Sequence, residues 1–393
     1  MAPHDLAGLL TPVDTTSFLR TCWGQNFLHV PGARGKFSEL LPWPALNGIL
    51  EQHRMDTPRV RLTRDGKPVP ATSYTSYQTN RRRPNQSIPR LRSAELTREL
   101  REGATLVLDA VDELHPPITS LAESLEGLFH VRIQVNAYAG WRTSHGFDLH
   151  WDDHDVFILQ VAGRKDWKVY GMTRKYPMAR DVEPTTEKPG TPLWEGMLND
   201  GDLLYIPRGW WHVATPLDEP TLHLTVGVNN PTGSDLLSWF VDRLRASEVV
   251  RRDLPLFANP EDQLARLDRL RDLLLSEWSP DVMRQYIADL DSKSQPRTRM
   301  NLPWGAMPDV LPPEDGTFRV KWAAARRPVV QRAGSEIHVL ANGRRWRFAE
   351  AAAPILDRLT SGEICSPSEF QGVAMARTLL RELITNGLAV VVV

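Results

Sequence analysis

Cysteine is scarce in this sequence, and long apolar runs are missing. Cys22 and Cys365 are its only cysteines, which excludes a disulfide-stapled scaffold and a cysteine-rich zinc site. No stretch is long and apolar enough to span a bilayer, and Met1–Asp5 does not begin a basic region followed by an apolar core. The sequence therefore predicts a soluble protein of the cytoplasm.

The chain also lacks an excess of either charge. Its 47 Lys and Arg residues are balanced by 48 Asp and Glu residues, which gives a formal net charge of −1 and a pI near 6.8. A protein with almost no net charge has no overall electrostatic field that would attract it to nucleic acid or to a membrane surface, so we expect neither partner. At 393 residues the chain exceeds one typical domain, and two or three domains are expected.

The sequence does contain a set of metal-binding residue types. His150 and Asp152 are two residues apart, and residues i and i+2 of a strand project from the same face. His212, on a later strand, can complete a set of two His and one carboxylate, which is typical of non-haem Fe(II) oxygenases because it leaves coordination positions open. The alternative, ordinary polar residues of a core or surface, would leave polar groups unpaired among strand-forming residues, at a cost of several kcal/mol.

The residues around this set predict short strands separated by tight turns. Residues 156–161 form an apolar, β-rich run that Gly163 closes, and residues 203–206 read as a buried strand. The segment 207–209 is a Pro-Arg-Gly turn, after which residues 210–213 begin another strand. Many short strands with Gly and Pro turns indicate a double-sheet barrel of jelly-roll type.

Taken together, these motifs resemble those of the JmjC/cupin Fe(II)/2-oxoglutarate-dependent oxygenases. They are His150-x-Asp152 with residues 155–160, Gly163-Arg164-Lys165-x-Trp167, residues 201–207, and Trp211-His212. Within that family the sequence is most similar to the ribosomal-oxygenase branch, whose members hydroxylate Arg or His of ribosomal proteins. The resemblance implies a double-stranded β-helix (JmjC/cupin) fold, an Fe(II) cofactor and 2-oxoglutarate as co-substrate.

The resemblance also implies residues that bind the co-substrate. The family uses a Lys or Arg near the end of the strand after the triad Asp to bind the distal carboxylate, and Lys165 stands there, while Arg164 should face the other way. A surface Lys with its stem along apolar neighbours is the alternative. Asn136 and Tyr138 share a strand face and would line the pocket, with Thr225 a weaker candidate. A core Tyr with a satisfied hydroxyl is the alternative for Tyr138.

Other polar residues lie beside the triad. His145 and His154 could be mistaken for ligands, but neither has the i, i+2 relation to a carboxylate that His150 has. Asp148 and Asp153 could hold a cationic substrate side chain near the metal. Asp153 should face away from the metal on a regular strand, so Asp148 is the better candidate.

The segment before the motifs mixes helix and strand. A helix is expected to start after the cap Asp14, a short strand over residues 23–30, and further helices over 94–102 and 117–126. Residues 81–92 combine five Arg with Pro and Asn. We expect them to form a solvated loop, or a lid or docking loop for an acidic partner.

After residue 231 the pattern becomes helical and then mixed. Leucines at helical spacing over 233–290 predict two amphipathic helices, and in the resembled family this region mediates homodimerisation. A Pro-rich linker from Pro303 to Pro313 precedes strands at 318–322 and 336–340, an Asn342-Gly343 turn, helices at 349–359 and 371–386, and a final strand at 388–393. This order indicates a winged helix, whose last helix lacks the basic face that DNA binding requires.

The sequence therefore predicts three domains and one leading function. Residues 1–231 form the JmjC/cupin catalytic domain, 232–302 a helical dimerisation segment, and 303–393 a winged-helix-like domain. The predicted activity is Fe(II)/2-oxoglutarate-dependent hydroxylation of a protein or peptide side chain, most readily Arg or His of a ribosomal protein. Tailoring of a ribosomally made peptide or other natural product is the enzymatic alternative. A barrel retained as an interaction module is the alternative without catalysis.

Overall fold

The computed structural model describes residues 3–80, 83–144, 146–178, 189–307, 318–370 and 376–392. The chain divides into two compact units, residues 1–230 and 231–393. The further division of the second unit into a helical segment and a C-terminal domain stays a prediction. Within the described ranges, no helix has the length and apolar character needed to cross a membrane.

The first unit begins with helices and short strands. They are α1 (Leu6–Leu10), α2 (Thr15–Thr21), β1 (Leu28–Val30), α3 (Trp43–Gln52), β2 (Val60–Arg64), β3 (Lys67–Pro68), β4 (Thr75–Asn80), β5 (Arg83–Leu91), α4 (Ser93–Arg101), β6 (Thr105–Leu108) and α5 (Pro116–Phe129). The predicted cap is confirmed, because the Asp14 carboxylate accepts the Ser17 N–H at the start of α2. Helices α4 and α5 confirm two further predictions, whereas the strand expected over 23–30 shrinks to β1.

The expectation of a loop at residues 81–92 is wrong for most of that segment. Strands β4 and β5 form a two-stranded antiparallel sheet in which Thr75 is opposite Leu91 and Tyr77 is opposite Pro89. Each strand of a two-stranded sheet has one edge without a neighbour. A proline whose nitrogen faces that edge removes no hydrogen bond between the strands, so proline does not prevent pairing. Arg81 and Arg82 lie outside the described residues.

The rest of the first unit consists of strands. They are β7 (Ile133–Gly140), β8 (Asp155–Ala162), β9 (Lys165–Val169), β10 (Trp194–Leu198), β11 (Leu203–Ile206), β12 (His212–Pro216) and β13 (Thr221–Val228). One antiparallel sheet has the order β1-β11-β8-β13-β7-β6-β2-β3, and the other has the order β10-β9-β12. The predicted jelly-roll fold is thus built from two sheets whose described strands do not close into one continuous ladder.

Strand β8 is buried on both faces, which explains why residues 156–159 are apolar at every position. Phe157 and Leu159 pack in the large core cluster with Phe18 and other residues of the N-terminal helices. Val156 and Ile158, on the opposite face, pack in a smaller cluster with residues of the second sheet, which lines the interior between the sheets. A strand covered on both sides is apolar at every position rather than at every second one.

The second unit combines four helices with a small mixed region. Its elements are α6 (Gly233–Leu244), α7 (Glu248–Arg251), α8 (Pro260–Glu277), α9 (Val282–Ser292), β14 (Arg319–Trp322), β15 (Val329–Ala333), β16 (Glu336–Ala341), β17 (Arg344–Ala349), α10 (Ala353–Thr360), α11 (Ala376–Thr385) and β18 (Ala389–Val392). Thr232 and Asp235 form a reciprocal capping box that starts α6. Strand β14 pairs with β18, and β15, β16 and β17 form an antiparallel sheet.

Most predicted elements of the second unit are confirmed. Asn342 and Gly343 have φ values of 55° and 70°, the two positive values of a type I′ hairpin turn between β16 and β17. Gly387, with φ of 70°, ends α11 as expected. Strand β15 was not predicted, and parts of the predicted linker and helix, residues 308–313 and 371–375, lie outside the described residues.

Candidate metal centre

The two histidines of the predicted triad face each other across a single antiparallel bridge. The His150 N–H donates to the His212 carbonyl over 3.2 Å, and the His212 N–H donates to the His150 carbonyl over 2.7 Å. A pair that exchanges both backbone hydrogen bonds projects its side chains to the same side of the ladder. The strand expected through His150 and Asp152 is not formed, and Asp152 lies in an irregular segment before β8.

The three side chains nevertheless converge. The Asp152 carboxylate lies 3.9 Å from His150 Nε2 and 3.5 Å from His212 Nε2, and the two imidazole centroids are 4.4 Å apart. One candidate ligand atom from each residue lies within 4.8 Å of the others. In the part of the chain that the structure describes, this is the one group of three or more His, Cys, Asp or Glu residues that could hold a metal ion.

Both imidazoles are oriented through their other ring nitrogen. His150 Nδ1 lies 2.7 Å from the Asp148 carbonyl, and His212 Nδ1 lies 3.1 Å from the Trp210 carbonyl. A carbonyl only accepts, so each Nδ1 carries the proton and each Nε2 presents a lone pair to the centre of the group. Burial, followed by the nearby His150, lowers the pKa of His212 to about 4, which keeps this imidazole neutral as a metal ligand must be.

Lys165 lies inside the first unit, in the middle strand of the smaller sheet. Its side chain is 4 % exposed, and its ammonium lies 3.3 Å from His223 Nδ1. Burial lowers its pKa to about 7, and no carboxylate of the described residues pairs with it. Its neighbour Arg164 faces outward, as expected, and binds both carboxylate oxygens of Glu219 at 3.0 and 3.1 Å. Lys165 is therefore a buried cation without an anion.

The other predicted pocket residues lie on the neighbouring strands of the larger sheet. Tyr138 is opposite His223 in the register of β7 and β13, and their rings stack with centroids 4.9 Å apart. Burial, with Asp152 as the second cause, raises the pKa of Tyr138 to about 12, so its hydroxyl stays a hydrogen-bond donor. Asn136 accepts the Ala110 N–H over 2.9 Å and is opposite the half-buried Thr225. The structure thus joins Tyr138 to Lys165 through His223.

His223 contacts Lys165, and sequence reasoning did not assign it to the site. Burial, and then the Lys165 charge, lower its pKa well below the usual value, so it is a neutral acceptor for the ammonium. Trp167 contacts His223 edge-on at 5.7 Å and stacks against His212 at 6.1 Å, which links the Lys165 pocket to the candidate ligands. The available signal was a histidine in a buried strand, at alternate spacing from Thr225.

The remaining polar residues near the triad are distributed around it. The exposed Asp148 side chain lies against Gly66, which has φ of 71° in the turn between β2 and β3. Asp153 pairs with His154 Nδ1 over 3.0 Å, so neither belongs to the candidate ligand group. His145 lies outside the described residues.

Comparison with known proteins finds similarity to JmjC proteins. The sequence model of the JmjC domain matches residues 113–236. The chain is 29% identical over 235 residues to the "bifunctional lysine-specific demethylase and histidyl-hydroxylase NO66" of Drosophila pseudoobscura pseudoobscura, covering 56% of this chain and 22% of that protein. It is 29% identical over 261 residues to the protein of the same name from Aedes aegypti, covering 64% and 39%. The chain thus spans well under half the length of these relatives.

Solved structures extend the likeness to nearly the whole chain. The structure of E. coli ycfD superposes with a TM-score of 0.60 at 20% identity, covering 97% of this chain and 98% of that one. Another, described as the ribosomal oxygenase YcfD in complex with cobalt and 2-oxoglutarate, gives a TM-score of 0.58 over the same shares. The chain therefore has the fold of these proteins, and its residues 113–236 match the JmjC domain.

Proposed function

We propose that this chain is an Fe(II)/2-oxoglutarate-dependent hydroxylase whose metal ligands are His150, Asp152 and His212. The observation that carries the proposal is the convergence of two Nε2 lone pairs and one carboxylate within 4.8 Å. The hydrogen bonds from both Nδ1 atoms to backbone carbonyls also support the proposal, because hydrogen bonds of this kind hold the imidazole ligands of a metal in a fixed orientation. Three protein ligands leave positions for a co-substrate and O2.

The buried Lys165 supports 2-oxoglutarate as the co-substrate. A buried ammonium without a carboxylate is costly, and the distal carboxylate of 2-oxoglutarate would neutralise it. Tyr138, whose hydroxyl stays protonated and whose ring stacks on His223, would donate a second hydrogen bond. Asn136 and Thr225 complete the proposed wall, and a YcfD structure is described with cobalt and 2-oxoglutarate. Bound iron would supply oxidative decarboxylation of the co-substrate to succinate and CO2, coupled to substrate hydroxylation.

The protein's own residues would orient the reactants and keep water out. Lys165 fixes one end of the co-substrate, so that its keto-acid end is directed to the ligands on the same interior side. Trp167 and the apolar cluster around Val156 and Ile158 exclude solvent from this region. The neutral state of His212 at working pH removes competition between proton and metal for its Nε2.

The proposed substrate is a side chain of a protein, with Arg or His of a ribosomal protein favoured. This rests on relatives named histidyl-hydroxylase and on structures described as ribosomal oxygenases. Asp148, two residues before the first proposed ligand, would attract a basic or imidazole side chain. Tailoring of a ribosomally made peptide remains the enzymatic alternative. An interaction module without catalysis would have no use for an assembled triad and a buried Lys165.

The decisive experiment is incubation of the chain with Fe(II), 2-oxoglutarate and separated ribosomal proteins, followed by peptide mass spectrometry. We expect one oxygen atom gained on an Arg or His, with one succinate formed per product. Free arginine, free histidine and a methyl-lysine peptide are the comparison substrates, and Asp152→Ala is the control enzyme. Coupled turnover of a free amino acid would refute the polypeptide substrate, and demethylation alone would refute the hydroxylase. No turnover with any substrate, although metal and 2-oxoglutarate bind, would favour the interaction module.

We also propose that two copies associate through the helical segment 232–302. Helix α8 buries only Arg266 among its own residues, while Leu264, Leu267 and Leu275 are 60 %, 58 % and 67 % exposed. Phe257, just before the helix, is fully exposed. A twofold dimer would bring the same apolar face of each copy together and cover it.

Two further assignments accompany these proposals. The domain division is 1–231, 232–302 and 303–393, in which the strands and two helices after residue 303 form a winged-helix-like unit around their own core. The proposed location is the cytoplasm, where ribosomal proteins would be available as substrates.

A further inference from the structure

The second unit contains a strongly basic segment in a chain that has almost no net charge. Residues 318–349 include eight Lys or Arg residues and a single acidic residue, Glu336, which gives this segment a formal charge of +7. Two of these arginines are neutralised within the fold, because Arg332 pairs with Glu350 and Asp357 and Arg326 pairs with Asp291. The remaining positive charge is concentrated around the hairpin of β16 and β17.

We define the basic wing as Arg327, Arg344, Arg345 and Arg347. Arg344 and Arg345 follow directly on the turn between β16 and β17, and Arg345 and Arg347 share a strand face. The first residue of β15 is opposite Leu340, and Leu340 is opposite Arg345, so β15 begins at the end of the sheet where this turn lies. Arg327 precedes β15 by two residues and therefore lies at the same end. Arg327, Arg344 and Arg345 therefore lie at the turn end of a three-stranded sheet, and Arg347 lies two residues further along β17.

The hairpin that carries the basic wing is held firmly by its other face. Trp346 and Phe348 alternate with Arg345 and Arg347, so they lie on the opposite strand face, and they pack against the core cluster that contains Ile337 and Val339. The Gly343 N–H donates to the Ser292 carbonyl at the end of α9, which fixes the turn. The arginines thus project from an ordered ribbon, so little backbone order is lost when a ligand binds them.

The basic wing is not used by the rest of the described structure. All four arginines are exposed, and none has a hydrogen-bond or ion-pair partner among the residues that the structure describes. Guanidinium groups in a planar fork match phosphate oxygens bidentately, which is why arginine predominates where a phosphate backbone is bound. Helix α11 is a poorer candidate, since it carries two Arg and one Glu and turns its leucines inward.

We propose that the basic wing is a docking surface for RNA, contacted through its phosphates. Charge complementarity identifies a polyanion, and the net charge of −1 does not argue against it because electrostatic contact depends on the local surface. The choice of RNA rests on the proposed function, since a ribosomal substrate is met next to ribosomal RNA. Binding through phosphates would position the chain on its target without reading sequence.

The test measures binding of the full chain to a labelled RNA stem-loop by fluorescence polarisation over a range of salt concentrations. The test variant is Arg344→Gln with Arg345→Gln and Arg347→Gln. The matched control removes the same charge from three exposed arginines that already pair with aspartate and lie outside the segment 232–302: Arg34→Gln, Arg54→Gln and Arg142→Gln. Loss of three phosphate contacts should weaken binding at least tenfold and reduce the slope of log affinity against log salt by about 2 to 3.

Each outcome decides the proposal. An unchanged affinity in the wing variant, or an equal loss in the control, would overturn it. Equal binding of a DNA stem-loop or of polyglutamate would overturn the assignment to RNA. Arg345→Glu alone tests the surface if the triple variant fails to fold, and it should also weaken binding at least tenfold. Hydroxylation of an isolated peptide does not need the wing, so failure of RNA binding with hydroxylation retained would refute this inference and leave the proposed activity standing.

Discussion

Replacing Lys165 by methionine removes a buried charge and keeps an unbranched side chain of similar length. Lys165 is almost completely buried, and burial lowers its pKa to about 7 from 10.5. That difference corresponds to about 5 kcal/mol between burying the ammonium and burying the neutral amine. The substitution should therefore act in opposite directions on the ligand-free protein and on its complex with 2-oxoglutarate.

For the ligand-free protein the expected effect is stabilisation. Below pH 7 the Lys165 amine is protonated in both the folded and the unfolded protein, and the folded protein bears the full free-energy penalty of the buried charge. Between pH 7 and 10.5 the unfolded state holds a proton that the folded state has released, so stability rises with pH across this window. Lys165→Met removes the penalty but leaves His223 Nδ1 without its donor, at about 1–3 kcal/mol. We expect a net gain of about 2–4 kcal/mol at pH 7.

For the complex the expected effect is loss of affinity. A distal carboxylate without its cation costs roughly 3–5 kcal/mol, which raises the dissociation constant of 2-oxoglutarate by two orders of magnitude or more. In the unaltered protein only molecules with a protonated Lys165 can bind the distal carboxylate of 2-oxoglutarate. With a pKa of about 7, this protonated fraction falls from about one half at pH 7 to about one hundredth at pH 9. The dissociation constant should rise about fifty-fold over that range, and the variant should lose this pH dependence.

The assay is calorimetric titration of 2-oxoglutarate into Co(II)-loaded protein, with chemical denaturation of the metal-free protein alongside it. Arg164→Met is the matched control, because Arg164 is adjacent in sequence but faces outward to Glu219. Unchanged 2-oxoglutarate affinity in Lys165→Met would refute the assignment of Lys165. Loss of affinity in Arg164→Met instead would identify the other cation. A destabilised Lys165→Met protein would refute the account of the buried charge.

The remaining predictions concern the ligands, the pocket and the assembly. Asp152→Ala should abolish 2-oxoglutarate turnover and Co(II) binding without changing the circular dichroism spectrum, and full turnover would exclude Asp152 as a ligand. His223→Leu removes the hydrogen-bond partner of Lys165 and should weaken 2-oxoglutarate binding about tenfold or more, whereas an unchanged affinity would leave His223 a packing residue. Leu267→Asp with Leu275→Asp should convert a dimer of the 44.5 kDa chain to monomer in light scattering, and a monomeric unaltered chain would exclude the proposed interface.

The strands of the first unit could be predicted because their pattern follows from burial on two faces. Residues 156–161, apart from Gln160, and residues 203–206 have side chains of core type, and the structure places them in strands between the two clusters. Strands β5 and β15 were harder because they lie at the edges of small sheets, where Pro, Arg and Gln replace the apolar pattern. Their pairing depends on partner strands, and a local pattern does not contain that information.

In the candidate site, too, the local sequence pattern predicts some features, whereas others depend on tertiary contacts. Its proposed members come from motifs that are short and local, so the sequence suffices to propose the triad and to predict the outward direction of Arg164, and the family resemblance adds Lys165. The i, i+2 argument selected residues whose side chains converge, although His150 and Asp152 do not lie in one regular strand. His223 was missed as a pocket residue because its role arises only when β13 of one sheet comes next to Lys165 of the other. Contacts between sheets are set by tertiary packing, which the spacing along one strand does not specify.

The bridge between His150 and His212 also governs when an ion can be captured as the chain folds. These residues are separated by about 60 positions, so closing the loop between them is slow and entropically costly compared with forming a hairpin or a helix. Until that bridge forms, no two imidazoles are adjacent, and the unfolded chain offers an ion only isolated weak ligands. Metal loading should therefore follow folding rather than guide it. Refolding rates should be the same with and without Co(II), while the unfolding rate should fall as metal is added.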